Sequence, residues 1–380
     1  MGWDRVVGQE RVKGLLRGMY EQQRLPHALL FFGPEGSGAE AAAIELARVL
    51  NCETGDWETC GTCSSCTAMH TLRHANVRFV FPLPSRDDEG SALDKMTDEE
   101  MREINAQIDE KAANPYHRIV IPKASGIKIS SIRDIRKVTA FRASAKGRTV
   151  VIILEADRMN PAASNALLKT LEEPGGDVQL ILTTSRKDAL LPTILSRCQL
   201  VRFDTLHERE IRDALRVRSD APADVIEAAA HLSSGNFALA LELADSDTEI
   251  RRSDVLDYLR AVVSANPLTL HDRIQQVVGK EDRQSVIRFL VAVSSWFRDV
   301  LALHEGAGDR LLNTDLRDSI ERFAEHYPGT RCSDAVREIE SVIEMIQKNV
   351  HLVNVLIVLS QRLRKCIVST TPPAPLKGLS

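Results

Sequence analysis

A junction near the amino terminus constrains this chain more than any other feature. The apolar run HALLFF (27–32) stops at Gly33-Pro34, passes through Gly36-Ser37-Gly38 and enters an alanine-rich stretch of helical character. A strand that turns on glycines into a helix opens a strand–helix–strand crossover. The alternation continues further on. RTVVIILEAD (148–157) is β-branched and suits a buried strand. SNALLKTLEE (164–173) sets Ala166, Leu167, Thr170 and Leu171 at helical spacing before Pro174, and VQLILTTS (178–185) reads as another buried strand. Strands separated by helices predict a parallel sheet covered on both faces.

Past residue 205 the pattern changes. Helices are predicted over 207–217, 222–231, 236–244, 249–264, 284–304, 309–325 and 331–366, with breaks at Ala221-Pro222, Gly235-Asn236, Asn266-Pro267 and Tyr327-Pro328-Gly329. Val342, Ile343, Ile346 and Val350, then Val353, Leu356, Ile357 and Leu363, recur as they would on a helix packed in a bundle. Aromatic residues are only 4% of the chain, so its core must be mostly Leu, Ile, Val and Ala. The expected class is α/β plus all-α, in roughly two to three domains.

The net charge of −4 excludes a chain that is basic throughout and holds nucleic acid by bulk charge. That average hides two neighbouring segments. Residues 86–111 carry ten acidic and four basic side chains, a local charge of −6, whereas residues 118–148 carry nine basic and one acidic, a local +8. The first predicts an exposed loop with a polar helix; the second is either a phosphate-facing surface or an ordinary charged helix face. No run approaches the length of a membrane span, and the amino terminus lacks a basic-then-apolar secretory pattern. A cytoplasmic protein is expected.

Gly33-Pro34-Glu35-Gly36-Ser37-Gly38-Ala39-Glu40 has the frame of the phosphate-binding loop G-x-x-x-x-G-K-[ST], in the strand-to-helix setting that loop requires. Its glycines would let backbone N–H groups converge on an anion at a helix amino terminus. Two chemical parts are replaced. Ala39 stands where a lysine would neutralise the outer phosphates, and Glu40 where a hydroxyl would hold Mg²⁺. A carboxylate there repels phosphate, and no cation within the loop compensates. Neither tightly bound ATP nor Mg²⁺ is expected, and a glycine turn without any ligand is the plain alternative.

Seven cysteines scattered over a long chain are not a disulfide framework. Four of them, Cys52, Cys60, Cys63 and Cys66, form C-x₇-C-x₂-C-x₂-C. Two-residue spacers let neighbouring thiolates reach one ion, so a structural Zn²⁺ is expected, with an iron–sulfur cluster as the alternative. Four thiolates close the coordination sphere, which leaves no position for substrate. His70 and His74 read as surface residues.

DRVVGQERV (4–12), LPHALLFFGPEGSG (25–38), the cysteine knuckle, ASNALLKTLEEP (163–174) and LPTILSRCQ (191–199) follow one another as in bacterial DNA polymerase III clamp-loader subunits. Over roughly its first 200 residues the chain resembles that family, whose members share the AAA+ P-loop-type fold. The resemblance implies an AAA+ module over 1–205 with the zinc insert at 52–66, a helical lid over 206–246 and a helical collar over 247–367, while the composition of the closing residues predicts a disordered tail over 368–380. It also implies partners: ATPase motor subunits of the gamma/tau kind, a delta-like subunit, a sliding clamp and, through the assembly, primer–template DNA.

The same resemblance makes the departures informative. Glu155 falls on the family's water-activating glutamate, Leu154 on its metal-binding aspartate and Ala238 on the lid arginine of the motor subunits. Phosphoryl transfer depends on positioning and charge neutralisation, so losing lysine, metal carboxylate and lid arginine together implies no hydrolysis by this chain. Arg197, in Ser196-Arg197-Cys198, matches an arginine that reaches into a neighbouring subunit's ATP site. In IKISSIRDIRKV (127–138), a helix capped by Ser130 or Ser131 and bearing Arg133, Arg136 and Lys137 is a candidate for DNA phosphate contacts. Two other readings compete. An active motor-type ATPase is opposed by Ala39, Leu154 and Ala238, and a free-standing zinc-dependent nucleic-acid binder by the net charge.

Overall fold

The computed structural model describes residues 2–84, 96–140, 147–173, 177–244, 252–264, 266–279, 283–306, 311, 316–347 and 350–368. They form two compact units, one within 1–214 and 233–240, the other within 215–232 and 241–380. Residues 206–246, where a lid is expected, contribute to both units.

The first unit opens with α1 (Glu10–Glu21), β1 (Ala28–Phe32), α2 (Ala39–Asn51), α3 (Ser64–His70) and β2 (Val77–Val80). A short strand β3 (Leu83–Pro84), α4 (Asp98–Ala113), β4 (Ala124–Gly126) and α5 (Ile129–Ala140) follow. Then come β5 (Thr149–Ile153), α6 (Pro161–Glu172), β6 (Val178–Thr184), α7 (Pro192–Leu195) and β7 (Gln199–Arg202). Five strands build one sheet in the order β2-β5-β6-β1-β7, with every neighbouring pair parallel, while β3 and β4 pair antiparallel on their own. This is the expected AAA+ P-loop-type sheet.

Side-chain alternation divides the buried strands between two faces. Leu30, Val151, Ile153, Leu180 and Leu182 join Ile132 and Ile135 of α5, Leu167 and Leu171 of α6 and Ile194 of α7 in one core. The intervening residues, Leu29, Phe31, Val150, Ile152 and Ile181, are equally buried and belong to the face that α2 covers. Both faces of β5 and β6 are thus out of water, which is why those strands are mainly apolar or β-branched along their whole length. The parallel register brings the carboxyl ends of β1, β5 and β6 together, so residues 33–38, Leu154-Glu155 and Thr184 gather along one edge.

Helix starts follow local chemistry. The Asn160 side chain accepts from Ala163 N–H at 2.7 Å, ahead of Pro161 in the first turn of α6. A capping box between Thr97 and Glu100 starts α4, with Asp98, Glu99 and Glu100 against the positive end of the helix dipole. This is the polar helix predicted in the acidic segment; residues 85–95 lie outside the described part.

Helices α8 (Glu208–Arg218) and α10 (Phe237–Ala244) each start among first-unit residues and end among second-unit residues, and α9 (Ala223–Leu232) belongs wholly to the second unit. The remainder of the second unit is α11 (Arg252–Ser264), α12 (Pro267–Val278), α13 (Arg283–His304), α14 (Arg317–His326), α15 (Cys332–Gln347) and α16 (Leu352–Val368). Two expectations change here. The single helix predicted over 331–366 is α15 and α16, and the break at Asn266-Pro267 is the start of an unforeseen helix, α12. The Asn266 side chain accepts from the N–H groups of Leu268 and Thr269 at 3.0 and 3.4 Å, and Pro267 lacks the donor that the first turn leaves unpaired. Asn266→Ala should lower stability by about 1 kcal/mol, read as a shift in the urea midpoint with an unchanged slope. The tail beyond 368 is outside the described residues. Among the described residues, no helix is long and apolar enough to cross a membrane.

Candidate functional site

The glycine loop leaves β1 at Phe32 and enters α2 at Ala39, as the motif requires. Gly36 and Gly38 have φ of 68° and 99°, in the region glycine tolerates. Both also admit close neighbours. A Cβ on Gly36 would lie 1.8 Å from Asn236 Oδ1, and one on Gly38 would lie 2.9 Å from the Tyr116 hydroxyl. The Gln9 side-chain amide donates to the Ser37 carbonyl at 3.0 Å, and Phe237 N–H donates to the Gly36 carbonyl at 3.2 Å. The loop is held by protein groups on several sides.

Glu40 does have a counter-charge, supplied from outside the loop. Lys111, fully buried near the end of α4, donates to the Glu40 carboxylate. The same ammonium donates to the carbonyls of His117 at 2.7 Å and Pro115 at 3.3 Å. Leu154 is buried, and its backbone N–H donates to the Val80 carbonyl at 2.8 Å. Glu155 sits at φ 49° and is engaged on both oxygens. Arg118 reaches it through Nε at 2.8 Å and Nη2 at 3.1 Å, and Arg158 through Nη1 at 3.1 Å. Burial pushes the Glu155 carboxyl up, but the two guanidiniums outweigh it and hold the group below its ordinary range. Ala238 lies on α10 beside Phe237, whose ring meets Tyr116 edge-on at 4.8 Å. Both carboxylates, Glu40 and Glu155, are thus paired with cations from outside the loop, and position 154 offers no carboxylate.

Arg197 lies in the turn between α7 and β7, with 37% of its side chain exposed. Its Nη2 pairs with Glu172 at 2.8 Å, and its Nη1 donates to the Thr193 carbonyl at 3.1 Å. Ser196 Oγ donates to the same carbonyl at 3.1 Å, and the neighbouring Cys198 is buried, its thiol pushed up to about 11 by that burial. The turn is anchored from below while the guanidinium stays at the surface.

The four predicted cysteines converge. Helix α2 delivers Cys52 at its end, and Cys63 caps α3, its sulfur accepting from Cys66 N–H at 3.4 Å. All four sulfurs lie within 4.8 Å of one another. The Cys52–Cys60, Cys52–Cys66 and Cys60–Cys66 separations are 3.6, 3.7 and 3.9 Å. A tetrahedral ion with metal–sulfur bonds of about 2.3 Å needs sulfur–sulfur edges of about 3.8 Å, whereas a disulfide needs about 2.05 Å. The set fits a metal ion. Backbone N–H groups of Thr62 and Cys63 help bring the Cys60 thiol down to about 6, while burial and the neighbouring thiols push the Cys66 thiol up. Trp57 stacks on Trp3 with ring centroids 4.4 Å apart, and the Tyr20 hydroxyl donates to the Gly55 carbonyl at 2.8 Å. His70 is half-buried and approaches the Gly61 carbonyl at 3.3 Å. His74 corrects the surface reading: it is buried, accepts from Asn76 N–H at Nδ1 and faces the Ser65 hydroxyl with Nε2, each at 3.1 Å.

The proposed serine cap is also corrected. Helix α5 starts at Ile129, so Ser130 and Ser131 lie inside its first turn, 7% and 8% exposed, and neither is at the cap. Arg133 is exposed on the same helix. The side chains of Arg136 and Lys137, and residues 141–146, lie outside the described part.

Residues 8–207 match the family described as DNA polymerase III, delta subunit, and residues 251–366 match its C-terminal family. A DNA polymerase III subunit delta' from Bacillus subtilis (strain 168) is 28% identical over 83% of this chain and 84% of its own length. A subunit tau from the same organism is 30% identical over 63% of this chain but only 36% of its own length. A solved gamma subunit-related protein from Thermotoga maritima is 16% identical, covering 92% of this chain and 99% of that one, with a TM-score of 0.42. With the first match alone covering more than half of its residues, the chain belongs to the DNA polymerase III delta-subunit family of clamp-loader proteins.

Proposed function

We propose that the chain is a non-hydrolysing, delta'-type subunit of a bacterial clamp loader in the cytoplasm. In this reading it assembles with gamma/tau-like motor subunits and a delta-like subunit to place a sliding clamp on primed DNA. Arg197 donates its guanidinium to the ATP site of the neighbouring motor subunit, where it stabilises charge developing on the transferred phosphoryl group. One observation carries this most directly. The chain offers an arginine at the surface of an anchored turn, while its own glycine loop carries Ala39 and Glu40 in place of the motif's lysine and hydroxyl. The ion at Cys52, Cys60, Cys63 and Cys66 is structural Zn²⁺, since four thiolates favour it and leave no open position. With Ser130 and Ser131 buried, any contact of α5 with a DNA phosphate falls to the Arg133 face.

The test is an ATPase assay on the purified chain, alone and then with motor subunits, clamp and primed DNA. The chain alone should give no turnover, and Arg197→Ala should depress turnover by the complex. Robust hydrolysis by the isolated chain would instead make it a motor-type ATPase and sink the proposal.

A further inference from the structure

We infer that residues 111–118 form a built-in plug, which occupies the degenerate nucleotide pocket and keeps nucleotide out independently of the missing motif lysine. The inference rests on the reading of this pocket as non-hydrolysing and deepens it. Four positions define where an AAA+ site would hold phosphate, metal, attacking water and lid arginine: the Gly38 turn, Glu40, Glu155 and the Phe237-Ala238 pair. One short segment reaches all four. The Tyr116 hydroxyl takes the space left by the absent side chain of Gly38. Lys111 pairs with Glu40, Arg118 clamps Glu155 with two bonds of 2.8 and 3.1 Å, and the Tyr116 ring meets Phe237 at 4.8 Å.

The segment is also braced from outside and folded on itself. Val7 N–H donates to the Tyr116 hydroxyl at 2.8 Å, and Arg5 Nη2 donates to the Ala112 and Ala113 carbonyls at 2.6 and 3.1 Å. Asn114 Oδ1 accepts from Tyr116 N–H at 3.0 Å, and the chain curls so that its own carbonyls at 115 and 117 cradle the Lys111 ammonium. The glycines that would admit a phosphate here admit protein. A cation, a phenol and a guanidinium stand in for nucleotide, and the positive charge that such a loop attracts from a lysine arrives from α4. Such a plug fixes the loop and α2 in one geometry, so the subunit would not cycle with nucleotide as a motor subunit does.

Restoring the loop while keeping the Tyr116 and Arg118 contacts of the plug separates the two causes of exclusion. One variant carries Ala39→Lys, Glu40→Thr and Lys111→Met, which rebuilds the motif and removes both members of the buried pair together. A second adds Tyr116→Ala and Arg118→Ala. Binding is followed with a fluorescent ATP analogue and Mg²⁺, with circular dichroism as the check on folding. The first variant should show no saturable binding, and the second should bind at least about tenfold more tightly. Equal binding by both, or no binding by a folded second variant, overturns the plug. Hydrogen exchange supplies an independent readout: Arg118→Ala in the otherwise unchanged chain should speed exchange of the amides at 36–40 by about tenfold, and unchanged exchange also overturns it. None of these results depends on Arg197, so this inference and the trans-arginine reading fail separately.

Discussion

Replacing Arg197 with alanine should slow hydrolysis at the one neighbouring ATP site it serves by about 10³–10⁵-fold. The bulk rate of the assembly falls less, because sites not faced by this chain keep their own machinery. Single-turnover measurements resolve the affected site as a missing fast phase. The competing explanation is that Arg197 only ties down its turn. Its partners argue against that: Glu172 is 51% exposed and the arginine 37%, and a pair so open to solvent contributes little to stability, about 0–1 kcal/mol. Arg197→Ala should therefore leave the melting temperature of the isolated chain nearly unchanged while the site it serves goes silent. Glu172→Gln removes the same surface pair and should leave turnover close to wild type. Arg197→Lys keeps the charge but loses the planar fork, and it should recover only a small part of the rate. A large fall in melting temperature matched by a small kinetic effect would reverse the assignment.

What was legible in the sequence was whatever the fold writes locally. β5 and β6 were readable because both faces are buried, so all their residues are apolar or β-branched except Gln179, whose amide N–H donates to the Pro26 carbonyl. β7 was not: it is one of the two edge strands, three of its four residues are exposed, and Val201 alone signals a core. β2 and the β3–β4 pair are too short to show a period. The metal site was readable because its ligands fall within fifteen positions and the spacing itself carries the geometry. Asn266-Pro267 was a correct signal read in the wrong sense, since a cap followed by proline opens a helix as readily as it ends one. The contents of the nucleotide pocket were beyond reach for a different reason. Lys111 meets Glu40 across 71 positions, and Arg118 meets Glu155 across 37, from a stretch whose excess charge looked like solvated surface. A replaced motif residue does not say which distant groups meet its neighbours, and only the tertiary structure does.

Removing the metal should undo the cysteine module and leave a mark on fluorescence. The chain has three tryptophans, and two of them, Trp3 and Trp57, are stacked together and buried beside the knuckle. Loss of the ion removes the constraint on the chain between Cys52 and Cys66, so Trp57 leaves its stack and emission shifts to the red. Structural zinc is worth about 10–16 kcal/mol in isolated zinc-finger peptides. Here α2 and α3 already pack on the unit, so the expected result is loss of the module and a marked fall in melting temperature, with the sheet retained. Thiol counting gives a second readout. Stripped protein should expose four fast-reacting thiols, while Cys198, Cys332 and Cys366 stay slow, because burial holds each near 11. Acid should act in the same direction as a chelator, since thiolates must be deprotonated to bind and affinity falls as pH falls. Among single substitutions, Cys66→Ser should lose most, because its sulfur is fully buried at the start of α3, and Cys60→Ser least, because that residue is exposed. Fewer than about one Zn²⁺ per chain in protein purified without chelator, or an emission spectrum and melting temperature unmoved by stripping, would rule out a structural metal at these four cysteines.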